Sequence, residues 1–255
     1  MAWWRSGGRM EAELTDMRIL EGEHLTKHFG GLAAVEKVYF HINQGEIVGL
    51  IGPNGAGKTT LFNLLSGSLE PTKGTIRFKG ENITGMRPYQ ICRKGLARTF
   101  QLVKVFSHMS VLENVLSGSL FGMSPGPGMV DAKAEAAELL ELVGLLDKKA
   151  ILAEDLTVSN QKRVELARAL ATKPELLLLD EVMVGLNFTE VAEFVRLIKR
   201  VRDKGITVVM IEHVMKAIME ISDRIIVLHH GGKIAEGTPQ EIANSQEVIR
   251  VYLKK

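Results

Sequence analysis

Between Glu46 and Gly67 the chain reads as a strand, a glycine-rich loop and a helix in immediate succession, and few folds accommodate that order. The apolar run Ile47, Val48, Leu50 and Ile51 has the length and residue types of a buried strand. Gly52-Pro53-Asn54-Gly55-Ala56-Gly57-Lys58-Thr59 then matches the phosphate-binding pattern G-x-x-x-x-G-K-S/T in full. Thr60 to Ser66 reads as a helix, with Leu61, Phe62, Leu64 and Leu65 apolar and Gly67 at its stop. Glycines let a backbone wrap a phosphate without Cβ clashes, so that N–H groups point inward as donors. The helix N-terminus adds a partial positive charge. Lys58 stands where the loop lysine reaches the β- and γ-phosphates, and Thr59 where the hydroxyl ligates Mg²⁺. The stretch thus predicts a nucleoside triphosphate site built from Asn54, Gly55, Ala56, Gly57, Lys58, Thr59 and Thr60.

The chain has 255 residues, 45% hydrophobic and 24% charged, which suits one α/β unit with room for a subdomain. A net charge of +2 gives no electrostatic argument for nucleic acid as a partner. The single cysteine, Cys92, excludes an intramolecular disulfide and fits a reducing compartment. No apolar run approaches the ~20 residues that span a bilayer. Residues 1–17 lack a long apolar core, do not resemble a secretory signal and are expected to form a loose extension. Any membrane role is therefore expected to come through a partner.

Taken in order, residues 18–31 predict a strand and a glycine turn, and Val35 to Ile42 a second strand. Phe29, shortly upstream of the loop, is either an exposed aromatic able to stack on an adenine ring or a strand-end core residue. Pro71 to Gly85 reads as turn, short strand (Thr75 to Phe78) and turn, and Gln90 to Leu96 as a helix leading to Gln101. Residues 102–155 carry helical periodicity over Ala132 to Leu146, with Leu139, Leu142, Val143 and Leu146 as its apolar positions. A breaker-rich loop, Ser124-Pro125-Gly126-Pro127-Gly128, precedes it. This segment reads as a helical subdomain inserted into the core, and Arg93, Lys94, Arg98 and Lys104 as its solvated rim.

A helix is expected from about Gln161 to Thr172, with Ser159 as its N-cap. Leu176 to Leu179 is a buried strand ending in Asp180 and Glu181, and ligands collect at such strand ends. Asp180 can hold Mg²⁺ through water, and Glu181 can orient or deprotonate the attacking water. Val191, Phe194, Val195, Ile198 and Val201 form a helical stripe, and Ile206 to Ile211 a strand with Glu212-His213 at its C-terminal end. That position, beside the phosphate strand, suits a γ-phosphate contact for His213. His229-His230-Gly231-Gly232 reads as a hairpin turn rather than a metal site, and Thr238-Pro239-Gln240-Glu241 as a capping box.

Together these spaced motifs resemble an ABC transporter ATPase over roughly residues 18 to 254. The resemblance implies a P-loop NTPase core with a mainly parallel sheet, an antiparallel β subdomain and an inserted helical subdomain at about 102–172. It implies Glu181 as catalytic base, His213 as γ-phosphate contact, Gln101 as the Mg²⁺ and water ligand and Phe29 as the adenine-stacking aromatic. In that family two subunits close head to tail, each ATP lying between one phosphate loop and the other chain's signature motif. Implied partners are a second ATPase subunit, permease subunits and, indirectly, an extracytoplasmic solute-binding protein, with no nucleic acid. The implied place is peripheral, on the cytoplasmic face of the plasma (inner) membrane. Leu96-Ala97-Arg98-Thr99-Phe100-Gln101, Ser110 to Val115 and the C-terminal wording from Ile211 to Ile242 are similar to ATPase subunits of branched-chain amino acid importers.

The chain departs from the family pattern at four places. The signature, usually L-S-G-G-Q, is Leu156-Thr157-Val158-Ser159-Asn160; Thr157 keeps a hydroxyl for the partner's γ-phosphate, while Val158 and Ser159 replace glycines. Val182 stands for the usual Pro after the catalytic acid, Asn187 for the D-loop Asp, and Phe188 where relatives often have Pro. Rival readings are a regulatory subunit with little turnover, a lipid-exporter ATPase, and a soluble ABC ATPase working on ribosomes or DNA. Against the last, the chain has one such domain, and no sustained heptad occupies 102–155.

Overall fold

The structure is a computed structural model that describes residues 18–122 and 128–253. Residues 1–17 and the loop from Ser124 to Pro127 lie outside the described part. Among the described residues ten strands form two sheets. In the first, β1 (Arg18–Phe29) pairs antiparallel with β2 (Leu32–Asn43) and with β4 (Lys73–Phe78), which pairs with the short β5 (Glu81–Asn82). The second has six strands in the order β10-β9-β3-β8-β7-β6. There β3 (Ile47–Ile51), β6 (Leu96–Arg98), β7 (Leu176–Asp180), β8 (Thr207–Ile211) and β9 (Arg224–His229) run parallel, and β10 (Gly232–Gly237) runs antiparallel to β9. Every residue of β3, β7 and β8 is buried, as continuous apolar runs in a sheet covered on both faces require. Strand alternation divides them between two cores: Ile47, Ile51, Leu177 and Leu179 face one, and Val48, Leu50, Leu176 and Leu178 the other.

Nine helices among the described residues cover these faces. α1 (Lys58–Leu65) follows β3 and packs with the antiparallel sheet, and α2 (Pro88–Arg93) precedes β6. α3 (Val111–Gly122), α4 (Met129–Val143) and α5 (Val158–Ala171) pack on one another. α6 (Phe188–Asp203) buries Phe194, Val195, Ile198 and Val201 of the expected stripe and Leu197 besides, while Val191 is half-buried. α7 (Met215–Ile221), α8 (Pro239–Asn244) and α9 (Gln246–Leu253) complete the chain, with Thr238 and Glu241 forming the expected capping box.

Several local expectations are corrected. The helix read over Gln90 to Leu96 stops at Arg93; Gly95 takes φ 104, and Leu96 to Arg98 pair with β7 instead. α4 ends at Val143 because Gly144 adopts the left-handed conformation of a helix stop. Its buried face is Ala132, Ala136, Leu140 and Val143, and Leu146 lies beyond it in a separate turn. The N-cap of α5 is Thr157, which accepts the Asn160 N–H at 3.4 Å, and Ser159 lies inside the helix.

Candidate nucleotide site

A cavity of about 1000 Å³ opens at the C-terminal ends of β3, β7 and β8. Phe29, Ala34, Asn54 to Thr60, Gln101, Glu181, His213 and His230 line it. The loop that forms its floor depends on two glycines. A Cβ on Gly52 would stand 2.2 Å from the Leu228 carbonyl oxygen, and one on Gly57, at φ 101, would stand 2.3 Å from that of Ala34. Lys58 is buried, its Nζ donating to the carbonyls of Gly52 at 2.6 Å and Pro53 at 3.1 Å. Burial pulls its pKa down, and the negative charges of Glu181 and Asp180 oppose that pull. No acidic residue occupies the first turn of α1, so the positive end of its dipole is left for an anion.

Asp180 ends β7, where Oδ2 accepts from Arg98 Nη2 at 2.7 Å, while Oδ1 is buried without a partner. Burial pushes this carboxyl up, and the hydrogen-bonded Arg98 guanidinium draws it back down. Glu181, one residue on, has φ 52 and donates its N–H to Ile211 O at 2.9 Å. One oxygen of its carboxylate accepts from Gln101 Nε2 at 2.8 Å, and the other lies 2.7 Å from His213 Nε2. Gln101, Glu181 and His213, far apart in sequence, thus meet at one carboxylate beside the phosphate loop.

Phe29 is 48% exposed at the end of β1 and faces the same cavity, so it is not a core residue. Thr59 and Thr60 line it as well, whereas Thr157 and Ser159 do not. Val158, beside them, is 57% exposed. Arg98 is not a rim residue: its side chain is 8% exposed, and Nη1 also reaches Asn63 Oδ1 at 2.7 Å and Ser66 Oγ at 3.0 Å. Read residue by residue, a lone basic side chain between helices gives no sign of this; only the pairing of β6 with β7 brings it onto Asp180. The turn at His230 and Gly231, which in sequence reads only as a hairpin, also borders the site. Gly231 donates to Ala56 O at 3.1 Å and accepts from Glu36 N at 2.9 Å, which fastens the β9–β10 turn to the phosphate loop.

A family model described as ABC transporter matches residues 35–184, and one described as branched-chain amino acid ATP-binding cassette transporter matches residues 233–253. The chain is 44% identical to the high-affinity branched-chain amino acid transport ATP-binding protein LivG of Salmonella typhimurium, over 90% of this chain and 95% of the relative. It is 42% identical to the corresponding protein BraF of Pseudomonas aeruginosa, over 92% of this chain and 97% of that one. Among solved structures, a nucleotide-free ATP-binding cassette from an ABC transporter superposes with a TM-score of 0.84 at 29% identity, covering 94% of this chain and 100% of its own. The cbiO1 protein of Clostridium perfringens, part of an ABC transporter complex, gives 0.82 at 28% identity, covering 94% and 96%. Phosphate loop, strand-end acids, overall superposition and sequence agree, and the chain belongs to the ABC transporter family of ATP-binding cassette ATPases.

Proposed function

We propose that this chain is the ATP-hydrolysing subunit of an importer for branched-chain amino acids, working at the cytoplasmic face of the membrane. The observation that carries hydrolysis is the Glu181 carboxylate, held between Gln101 and His213 on the wall of the phosphate-loop cavity. In this reading the loop amides and Lys58 hold the phosphates, and Phe29 stacks on the adenine. Glu181 orients or deprotonates the attacking water, assistance worth roughly 10²–10⁴-fold. His213 contacts the γ-phosphate. The buried, unpartnered Oδ1 of Asp180 fits a cation site, with Thr59 and Gln101 as the other ligands. Bound there, Mg²⁺ supplies positive charge to the phosphate oxygens.

Among the described residues no helix is long and apolar enough to cross a membrane, so coupling runs through permease subunits. A second ATPase subunit completes each site: Thr157 of this chain, exposed and outside its own cavity, faces the partner's nucleotide, whereas Ser159, expected beside it, is buried inside α5. The solute is delivered by an extracytoplasmic binding protein. The likeness to branched-chain amino acid transport proteins supports this choice of solute.

The test is hydrolysis by the purified chain and by its co-purified membrane complex, each as wild type and Glu181→Gln. Turnover confined to the complex, and lowered at least 100-fold by Glu181→Gln with ATP binding intact, is the expected result. A second reading, a regulatory subunit with little turnover, is favoured by Val158 and Ser159 in place of signature glycines. Binding without turnover in the complex would put it first.

A further inference from the structure

Two buried ionisable groups beside the cavity have no part in the function proposed above. Lys162 lies in α5, two positions past Asn160, and is buried. Its Nζ donates to the Val184 carbonyl at 2.6 Å and reaches that of Glu181 at 3.5 Å. Glu212 follows β8 directly ahead of His213 and is 2% exposed. Its Oε1 accepts the Met183 N–H at 2.8 Å, and its Oε2 is buried without a partner. Residues 181–184 are therefore gripped from two sides, the carbonyls by a cation on α5 and an N–H by a carboxylate at the end of β8.

This segment needs such a grip. Glu181 has φ 52, and a non-glycine residue stays in that region only where its surroundings over-determine it. Its N–H is fixed to Ile211 O, which sets the start of the turn but not the path that follows. Each clamp residue also explains the other's burial, because an isolated buried charge is costly and a nearby opposite charge relieves it. Lys162 and Glu212 do feel each other's charge in this way.

We propose that Lys162 and Glu212 are positioning residues for Glu181, a buried clamp that holds residues 181–184 so that the carboxylate meets Gln101 and His213. The proposal rests on the reading of Glu181 as the hydrolytic carboxylate. Its consequence is a link within one chain. α5 begins at the residues that face the partner's nucleotide, and through Lys162 the same helix sets the aim of its own chain's Glu181. A tilt of α5 is then felt at both nucleotides of a closed pair.

The experiment uses the full membrane complex with Lys162→Met, Glu212→Leu, Glu212→Gln and Glu181→Gln. The clamp lowers kcat at least tenfold in Lys162→Met and Glu212→Leu while the KM for ATP stays within twofold. Glu212→Gln keeps an acceptor for the Met183 N–H and loses less than Glu212→Leu. Amide exchange at Met183 quickens at least tenfold in Glu212→Leu. Wild-type kcat in Lys162→Met or Glu212→Leu, or unchanged exchange at Met183, overturns the proposal. Glu181→Gln with wild-type turnover overturns the underlying reading instead, so the two failures are distinguishable. If the clamp variants do not fold, the wild-type protein decides: Met183 must exchange more slowly than Gly185, and equal rates overturn the clamp.

Discussion

Arg98 leaves β6 and runs inward, its guanidinium shared between Asp180 on β7, Asn63 on α1 and Ser66 at the C-cap of α1. Removing one partner of such a buried pair leaves the other charge uncompensated, a loss of about 3–5 kcal/mol. Arg98→Met is expected to lower unfolding stability by that amount in urea titration. Arg98→Lys restores only part of it, because an ammonium lacks the planar fork that reaches three acceptors at once. Glu212 is open to a second test, through pH. Burial raises its carboxyl from 4.5 to about 7, so between those values the folded chain holds a proton that the unfolded chain has released. Stability from this group is fully present below about pH 4.5 and is lost as pH rises through about 7. A shift of that size corresponds to about 3 kcal/mol. Glu212→Gln, neutral at every pH, is expected to be more stable than wild type at pH 8 by up to that amount, with the advantage gone near pH 4.5. Thermal melts at the two pH values read it directly, and an equal gap at both would contradict it.

The elements differ in how plainly the sequence announced them. β3, the loop and α1 were legible because a pattern match and its flanking periodicity agree. β7 and β8 were legible as unbroken apolar runs. β6 was not: Leu96 to Arg98 is three residues long and lies at the sheet edge, and its strand character comes from pairing with β7 rather than from any alternation. α4 is legible as a helix but its buried face is not, since three small or medium side chains, Ala132, Ala136 and Val143, face the core beside Leu140. The cap of α5 went to Thr157 rather than Ser159 because hydroxyls two apart give the same signal until helical dihedrals begin. α3 shows what organises the loop before it. Asn114, fully buried, accepts the Phe106 N–H at 2.8 Å and donates to the carbonyls of Phe106, Met109 and Ser110. Asn114→Ala leaves these groups unpaired and is expected to cost about 1–3 kcal/mol. Amide exchange should quicken at Phe106 most of all, and an unchanged rate there would disprove the tie.

At the scale of the whole molecule, the strand that carries the phosphate loop lies between β8 and β9, two strands that follow it by more than 150 positions (Ile47 pairs with Val208, Val48 with Arg224). The loop itself is fastened to Gly231 in the turn after β9. Such distant pairings form only after a large loop-closure entropy has been met, so they come late in folding. For a chain emerging from a ribosome this is also an order of events. The residues that bind phosphate are made first, and the walls that shape them are made last. Nascent chains arrested before Thr207 are expected to bind no nucleotide, whereas chains exposed through Gly237 bind it; filter binding on stalled ribosomes reads the difference. A growing chain of this kind therefore cannot hold ATP until its sheet is complete, and the order of its strands keeps nucleotide off it while it is being made.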